Sequence, residues 1–387
     1  MAPDGESFFS ARARPKVLHI ITGLDVGGAE SMLYKLVSTT AQESEVISLT
    51  DTGLIADRLK ALEVPVRALN FRWFRAPLDL LRLVGWIRSS KADIVQTWMY
   101  HSDVIGGVAA RLAGKSGVAW NIRASPFDGL SDLKWTTVAF IRLSAILSRM
   151  IPARIICCSE SAQEIHKGFG YAARKMVIIP NGFDLEQFRP DVDARRSVRE
   201  ELGLSMQSPI VGLVARYDPM KDHALFFRAA TIVAAQHPEV HFVLIGKGVT
   251  LENDPLIKLI PPSLRHRVHL LGLRMDAARL MAAFDVAVSS SSAEGFPNVV
   301  GEAMACAVPC VVTDVGDSAA IVGSTGLVVR PGDTEGLALG ITSLLLMDAD
   351  QRRRLGTAAR ERVAGEFALP VIVRRYEEFY WNLATRS

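Results

Sequence analysis

The chain has 387 residues, of which 49% are hydrophobic and 22% are charged, a composition that supports a large core and argues against global disorder. Its 44 basic and 41 acidic residues leave a formal net charge of +3. So small an excess argues against a nucleic-acid binder. Four cysteines without zinc-ribbon spacing argue against a disulfide scaffold and favour a reducing compartment.

The N-terminal segment, residues 1–16, lacks an apolar stretch of signal-peptide length. No apolar run reaches the ~18 residues that a membrane-spanning helix needs. The nearest stretch, residues 138–151, is interrupted by Arg142 and Arg149. We therefore expect a cytoplasmic protein.

Short apolar runs alternate with helix-like segments along almost the whole chain. Runs without strict polar–apolar alternation are typical of strands buried on both faces of a parallel sheet. In the first half, the predicted strands are residues 17–21, 45–49, 65–69, 93–96, 118–122, 154–158 and 176–179. The series restarts after a Pro- and Gly-rich break at residues 180–190. In the second half, the predicted strands are residues 210–215, 241–245, 268–271, 285–289, 310–313 and 327–329.

This restart predicts an α/β fold with two Rossmann-like domains, whose parallel sheets face each other across a cleft. We predict an N-terminal domain over residues 15–185 and a second domain over residues 186–365. Residues 366–387 are predicted to form a helix that crosses back to the first domain. One large single sheet is the alternative, and the restart and the chain length argue against it. Ligands of open parallel sheets bind beyond the carboxyl ends of the strands, where functional residues are therefore expected.

Two segments that follow predicted strands have features of a phosphate site. Gly27 and Gly28, after the first strand, let the backbone approach a ligand, and the helix that follows offers amides to a phosphate. A tight strand-to-helix turn is the alternative. Arg216 and Lys221, after the first strand of the second half, are suited to holding a diphosphate leaving group. The alternative is a pair of surface cations.

The most specific signal is SSSSAEGFPNVVGEAMA at residues 289–305, where a predicted strand ends in small polar residues and a loop leads into a helix. Glu294 lies in the loop and Glu302 lies two turns into the helix. Amides at a helix start contact sugar hydroxyls and phosphates, and a carboxylate suits the vicinal diol of a ribose because it accepts two hydrogen bonds. A solvated surface glutamate is the alternative for Glu302, and its apolar neighbours argue against it.

The segment EGFPNVVGEAMACAVPCVVTDVGDSAAIV resembles the signature of the family 4 retaining glycosyltransferases of the GT-B fold, which contains two glutamates separated by seven residues. The Gly-Gly pair, the Arg/Lys pair and the late GLVVRPGD match in order and spacing, so the resemblance covers about residues 16–383. It implies transfer of a hexose-type sugar from a nucleotide-diphosphate donor, by default a UDP-sugar, to a glycan or lipid-linked acceptor. It also implies retention of the anomeric configuration and a place in surface polysaccharide assembly, although it does not identify the sugar.

The resemblance also implies roles for individual residues. Arg216 and Lys221 would bind the donor diphosphate, Glu302 would bind the ribose, and Glu294 would orient the transferred sugar. His101 matches the family's histidine near the sugar and the attacking hydroxyl, with a capping or packed histidine as the alternative. Backbone contacts to the donor are implied at Gly27, Gly28, Gly272, Leu273, Gly295, Phe296 and Asn298.

The acceptor side carries weaker signals. Asn121 and Arg123, at the end of the fifth predicted strand, are candidate acceptor-side residues. Arginines and aromatic residues are interleaved over residues 71–88, a pattern that suits peripheral contact with the inner face of the plasma membrane. An ordinary amphipathic helix covering the sheet is the alternative. No metal cofactor is expected if cations and a helix dipole carry the diphosphate charge.

Other functions on two α/β lobes remain as alternatives. A nucleotide-sugar epimerase needs acid–base residues for proton transfer at the sugar ring, and no such set is apparent in the sequence. A non-catalytic sugar- or nucleotide-binding protein is disfavoured by Glu302 in its apolar surroundings. A phosphorylase would need a cofactor-bound lysine and usually a longer chain.

Overall fold

The computed structural model describes residues 14–25, 27–123 and 135–385, so the N-terminal lead-in and Val26 lie outside its description. The chain divides into two compact units. One contains Met1–Gly182 together with Leu369–Ser387, and the other contains Phe183–Ala368.

The first unit is built on a sheet of seven parallel strands in the order β3-β2-β1-β4-β5-β6-β7. The strands are β1 Val17–Ile21, β2 Ser44–Ser48, β3 Val66–Ala68, β4 Ile94–Trp98, β5 Val118–Ile122, β6 Arg154–Cys157 and β7 Met176–Ile178. Every residue of β1, β4 and β5 is buried. Continuous burial explains why these strands read as uninterrupted apolar runs.

Seven helices belong to the described part of this unit. They are α1 Gly28–Thr39, α2 Leu54–Ala61, α3 Ala76–Ser89, α4 Tyr100–Leu112, α5 Trp135–Leu147, α6 Glu160–Gly168 and the last helix, α15 Leu369–Ala384. A short 3₁₀ turn, Trp73–Arg75, leads directly into α3.

Helix α15 packs its apolar face into the core of the first unit, together with residues of β1, β2 and α1. Two buried tyrosines add polar contacts. The hydroxyl of Tyr380 donates to Oε1 of Gln96 over 2.6 Å, and Asn121 Nδ2 donates to the hydroxyl of Tyr376 over 3.0 Å. The aromatic residues at these two positions of α15 are therefore packing residues.

The second unit contains a sheet of six parallel strands in the order β10-β9-β8-β11-β12-β13. The strands are β8 Ile210–Val214, β9 His241–Ile245, β10 Val268–Leu270, β11 Val286–Ser289, β12 Cys310–Thr313 and β13 Leu327–Val329. Its helices are α7 Val192–Glu201, α8 His223–Gln236, α9 Asp254–Ile257, α10 Ala277–Ala282, α11 Asn298–Ala305, α12 Ser318–Val322, α13 Thr334–Leu346 and α14 Ala349–Glu366. Among the helices described in both units, none is long and apolar enough to cross a membrane.

Both sheets reverse their strand order at one point, between β1 and β4 in the first unit and between β8 and β11 in the second. In open parallel sheets this switch point opens a crevice beyond the carboxyl ends of the strands. Each of the thirteen predicted strands corresponds to an observed one, and the predicted pair of Rossmann-like parallel sheets is confirmed. The alternative of one large sheet is wrong.

Candidate functional site

The loop after β8 carries both predicted diphosphate-binding cations. Asp218 begins the 3₁₀ turn Pro219–Lys221 and caps it, since its Oδ1 accepts from the amide of Met220 over 3.0 Å. Arg216 pairs with Oδ2 of the same aspartate over 2.9 Å, and its side chain is 55% exposed. The guanidinium is thus held at the end of β8 while much of it still faces solvent.

Lys221 forms an ion pair with Glu294, the loop glutamate that follows β11. The two side chains are only 17% and 12% exposed, so the pair is shielded from water. Ser291 Oγ donates to the same carboxylate oxygen, Oε1, over 2.7 Å. Because the pair is sheltered, solvent and salt screen the attraction between its two charges only weakly.

Further hydrogen bonds join the loops after β8 and β11. Ser290 Oγ donates to the carbonyl oxygen of Lys221 over 2.9 Å, and the amide of Ser292 donates to that of Met220 over 2.8 Å. Thr313, at the end of β12, donates to the carbonyl oxygen of Ser291 over 2.6 Å. Because β8 and β11 are neighbours at the switch point, these hydrogen bonds hold the two loops side by side.

Gly316 packs closely against the backbone of the loop that carries Glu294. Its φ is +55°, and a Cβ atom there would lie 2.4 Å from the carbonyl oxygen of Glu294 and 2.6 Å from that of Gly295. The amide of Asp317 then donates to Gly295 over 3.0 Å. Only glycine satisfies both the backbone conformation and the close approach.

Helix α11 begins at Asn298 and carries Glu302 in its second turn. The residues on either side of Glu302, Gly301 and Ala303, are buried, whereas Glu302 is half-buried. The ring of Phe296 stacks on Phe183 with 6.0 Å between centroids. Its side chain therefore anchors the loop in the core of the second unit, which leaves the role predicted for Phe296 to its backbone.

The turn after β10 contains Gly272 and Leu273, two of the predicted donor-contacting residues. Gly272 has φ +66°, its carbonyl accepts from the amide of Gly246, and its own amide donates to Val249, both over 2.8 Å. Gly272 therefore shapes the turn, and Leu273 beside it is 71% exposed. Arg274 is held by Asp276 and Glu201 in a local ion-pair network.

In the first unit, the Gly27–Gly28 pair begins α1 at the switch point. Gly27 is the N-cap of α1, in an extended conformation, and a Cβ atom there would lie 2.3 Å from the carboxylate of Glu30. Gly28, in contrast, has open space around its Cα. The hydroxyls of Thr22 and Ser102 lie 3.1 Å apart, which joins the segment after β1 to the start of α4.

His101 stands in the first turn of α4, directly after β4. The residue between strand and helix, Met99, has φ +70° and ψ 163°, a region that non-glycine residues rarely occupy except at functional sites. The imidazole of His101 packs on the ring of Phe140, with 4.3 Å between centroids. Burial lowers the pKa of His101 below its usual range, which favours the neutral imidazole.

A buried aspartate braces this strand-to-helix junction. Thr97 donates to Oδ1 of Asp103 over 2.5 Å, and the amide of Asp103 donates to the carbonyl oxygen of Met99 over 2.9 Å. Burial raises the pKa of Asp103 well above its usual range. Asp103 thus holds the strained turn from which His101 projects.

Asn121 and Arg123, the acceptor-side candidates, are engaged in contacts within the first unit. Asn121 is fully buried and donates to Tyr376 of α15. Arg123 donates to the same hydroxyl over 3.0 Å, to the carbonyl oxygen of Ile179 over 3.2 Å, and to Asn181. These contacts anchor α15, and an acceptor role for either residue stays a prediction.

An apolar pocket of about 370 Å³ opens between α3 and α4; we call it the α3–α4 groove. All its lining residues are apolar: Phe71, Ala76, Pro77, Leu80, Val104, Ile105 and Val108. A series of aromatic contacts joins the groove to His101. The ring centroids of Phe71 and Trp73 lie 5.2 Å apart, and those of Trp73 and Phe140 lie 5.9 Å apart. Phe140 in turn packs on His101.

Several large apolar side chains of the first unit are exposed. On the turn before α3, Trp73 and Phe74 are 66% and 83% exposed. Others are Leu78, Leu81, Trp135, Ile146 and Met150. Residues 66–90 contain five arginines and one aspartate, Asp79, which is buried. This cationic, apolar surface includes the segment in which the sequence interleaves arginines with aromatic residues.

Metal ligands do not gather in the described ranges, where no three His, Cys, Asp or Glu side chains lie close enough to hold an ion. Two Asp-x-Asp sequences, at residues 191–193 and 348–350, lie at helix starts. Asp191 caps α7 by accepting from Ala194, and Asp348 caps α14 by accepting from Gln351.

The sequence analysis did not identify four residues that shape the candidate site. Ser291 and Gly316 hold the loop of Glu294, and Met99 and Asp103 shape the turn before His101. Ser291 and Gly316 lie within or just after the segment with the strongest signal, but their partners become visible only when the strands are adjacent. The available signal for Asp103 was an acidic residue directly before the apolar residues 104–110 of α4.

Comparison with known proteins assigns a domain to each half of the chain. Residues 26–187 match Glycosyltransferase Family 4, and residues 208–347 match the family described as Glycosyl transferases group 1. The UDP-Gal:alpha-D-GlcNAc-diphosphoundecaprenol alpha-1,3-galactosyltransferase of Escherichia coli is 28% identical over 267 residues, which are 68% of each chain. The putative glycosyltransferase EpsF of Bacillus subtilis is 26% identical over 78% of this chain and 80% of its own.

Solved structures show the same fold. The Anabaena protein HepE in complex with UDP superposes with a TM-score of 0.83 at 23% identity, covering 95% of this chain and all of HepE. Its complex with UDP-glucose gives a TM-score of 0.80. At this identity the likeness concerns the fold, which is GT-B.

Proposed function

We propose that this chain, which belongs to the family 4 and group 1 glycosyltransferases of the GT-B fold, transfers a hexose-type sugar from a UDP-sugar to a lipid-linked glycan acceptor. The new bond keeps the anomeric configuration of the donor. The observation that carries the proposal is the sheltered Lys221–Glu294 pair beside Arg216, at the switch point of the second sheet.

The two cations bind the diphosphate leaving group. Negative charge accumulates on the UDP diphosphate as the sugar bond breaks, and Lys221 and Arg216 stabilise it from fixed positions. Glu294, held by Lys221 and Ser291, orients hydroxyls of the transferred sugar. Glu302 accepts hydrogen bonds from both hydroxyls of the ribose. The backbone at Gly295, Phe296 and Asn298 contacts the sugar or the phosphate.

Retention follows from attack on the same face as the leaving group. The bond between the anomeric carbon and the phosphate oxygen breaks, and a bond from that carbon to the acceptor oxygen forms on the same face. The acceptor proton passes to the departing phosphate oxygen. A second carboxylate opposite Glu294, as in the paired carboxylates of retaining hydrolases, is then not required. His101 lies near the sugar and the attacking hydroxyl in this proposal.

Two comparisons support the choice of substrates. HepE binds UDP and UDP-glucose on the same fold, which favours a uridine donor here. The E. coli relative acts from UDP-Gal on a sugar linked to diphosphoundecaprenol, which favours an acceptor sugar on a diphosphate-linked polyprenol. The setting we propose is surface polysaccharide assembly on the cytoplasmic side of the membrane.

The reaction is tested with a panel of UDP-, GDP- and ADP-sugars, with and without EDTA. The acceptor is N-acetylglucosaminyl diphosphate on a short polyprenyl chain. We expect one UDP-sugar to give a disaccharide product equally well in EDTA, with a proton coupling constant at the new anomeric centre that reports retention. Conversion of the donor without acceptor would favour an epimerase. Binding of nucleotide sugars without turnover, across acceptors, would favour a non-catalytic binding protein.

We also propose peripheral contact with an anionic membrane through the exposed surface around α3. Aromatic side chains of Trp73 and Phe74 insert at the headgroup level, while arginines attract anionic lipids. Flotation with phosphatidylglycerol vesicles measures this contact. Arg75→Glu combined with Phe74→Ser should abolish flotation, whereas vesicle binding unchanged by this double substitution would refute it.

A further inference from the structure

We propose that the α3–α4 groove holds the first isoprenoid units of the acceptor's lipid chain, which places the acceptor sugar beside His101. This inference rests on the lipid-linked acceptor proposed above. It adds a binding subsite to the first unit and a determinant of acceptor length.

The register of α4 aligns the groove with His101. Val104 and Ile105 follow His101 by three and four residues, so all three share one helix face. Val108 continues the same line one turn further, about 10 Å along the helix axis from His101. An acceptor with its sugar at His101 can therefore extend along the same helix face onto the apolar groove.

The chemistry of the groove suits a hydrocarbon chain. All lining residues are apolar, and the volume of about 370 Å³ lies in the range of ~300–1,000 Å³ that small-molecule sites occupy. Each buried methylene strengthens binding about fourfold. Two or three isoprenoid units in the groove would therefore dominate acceptor affinity.

The charge at the groove suits a diphosphate. Arg72 and Arg75 lie in sequence between Phe71 and Ala76, which both line the groove, and both arginines are exposed. Their counter-charge is Asp79, whose Oδ2 accepts from the amide of Arg72 and whose Oδ1 lies 3.8 Å from Arg75. Asp79 thus contacts the guanidinium of Arg75 but only the backbone of Arg72. One carboxylate for two guanidiniums leaves a positive excess where the chain joins its diphosphate.

The aromatic contacts supply the connection between the two ends. Phe71 lines the groove, and Trp73 and Phe140 continue from it to the imidazole of His101. Rings in this order form an apolar wall along which a sugar and its carrier lie. A surface that only touched a membrane would not need a pocket on the same helix face as His101.

The probe for the test is farnesyl diphosphate, compared with inorganic diphosphate, in the presence of saturating UDP so that the donor site is occupied. Binding is measured by titration calorimetry at concentrations where the probe is monomeric. Ala76→Phe fills the groove and Ile105→Gln makes its wall polar. Leu81→Gln is the matched control, since Leu81 is an exposed apolar residue of the same helix α3 that does not line the groove.

We expect farnesyl diphosphate to bind at least tenfold more tightly than inorganic diphosphate. Ala76→Phe and Ile105→Gln should each weaken its binding tenfold or more, while Leu81→Gln changes it less than twofold. Equal loss in Leu81→Gln, or no loss in either groove variant, would overturn the proposal. A separate titration of UDP into each variant, prepared without UDP or farnesyl diphosphate, judges the donor site. Normal UDP binding with no farnesyl diphosphate binding would refute the groove alone.

Discussion

The residues proposed for the donor side, in the second unit, and those proposed for the acceptor side, in the first, differ in how their charges are held. Lys221, Glu294 and Ser291 form a sheltered, hydrogen-bonded set on two neighbouring strand ends. Around His101 the surface is apolar, aromatic and cationic, with large exposed side chains.

The contrast suits the ligand that we propose for each region. A diphosphate leaving group is the same in every reaction cycle, and fixed charges stabilise its transition state best. An acceptor with a lipid chain is recognised through apolar area, for which exact polar geometry matters less. Substitutions at the proposed donor-side residues should therefore lower kcat. Substitutions that line the α3–α4 groove should weaken acceptor binding, and substitution of His101 should lower kcat without changing UDP affinity.

The largest effect is expected for Lys221→Ala. Loss of a fixed cation beside the leaving diphosphate should lower kcat by about 100- to 1,000-fold, measured as release of UDP. Lys258→Ala is the matched control, because Lys258 is an exposed lysine of the same unit. Activity within a factor of three of the wild type in Lys221→Ala would remove the lysine from the mechanism.

The next largest effect is expected for Gly316→Ala, because a Cβ atom at this position would clash with the carbonyl oxygens of Glu294 and Gly295. We expect at least a tenfold loss of kcat and a larger loss of stability than in Gly332→Ala. Gly332 also has a positive φ, +76°, but open space around it, so its substitution costs only the backbone strain of about 1–2 kcal/mol. Equal activity in the two variants would contradict a supporting role for Gly316.

The next prediction concerns His101→Phe, in the first unit. The ring still packs on Phe140, but one hydrogen bond to the substrates is lost, so kcat should fall about 10- to 100-fold. UDP affinity should stay unchanged, as calorimetry can verify. His266→Phe, at an exposed histidine of the second unit, controls for removal of an imidazole. A loss of UDP affinity equal to the loss of kcat would argue against an acceptor-side role.

The smallest effect is the acid limb of the pH profile. Burial lowers the pKa of His101, so the neutral imidazole persists below pH 6.5 and activity should decline only at lower pH. His101→Phe should lack this limb.

Stability must be followed in the same pH range. Burial also lowers the pKa of His166 and His223 to about 4. These groups take up protons on unfolding between pH 6.5 and 4, so stability falls as the pH falls through that window. A thermal melt at each pH separates this loss from titration of His101, and an acid limb that persists in His101→Phe would assign it to another group.

The sheets were predictable because their strands are buried on both faces. In β1 and β8 almost every residue is buried, so the apolar runs alone located them. Strand ends were less certain. β4 extends through Thr97 and Trp98, beyond the predicted end at residue 96, because the polar Thr97 is satisfied by Asp103 inside the fold.

The site was predictable residue by residue but not as an arrangement. Lys221 and Glu294 each stood out in sequence, yet their ion pair joins positions 73 residues apart and depends on the adjacency of β8 and β11. Asn121 stood at a strand end, as an acceptor residue would. Its side-chain amide, however, donates a hydrogen bond to Tyr376, 255 residues later in the chain. Long-range partners of this kind have no signature in a local pattern.

The central claim, a UDP-sugar site built on α11 and the loop after β8, is tested most directly by titrating UDP in EDTA into the wild type and Glu302→Gln. Loss of a charged hydrogen-bond acceptor for the ribose should weaken UDP binding about 10- to 100-fold. Glu361→Gln, at an exposed glutamate of α14, should bind UDP as the wild type does. Unchanged affinity in Glu302→Gln would contradict the placement of the donor in this site.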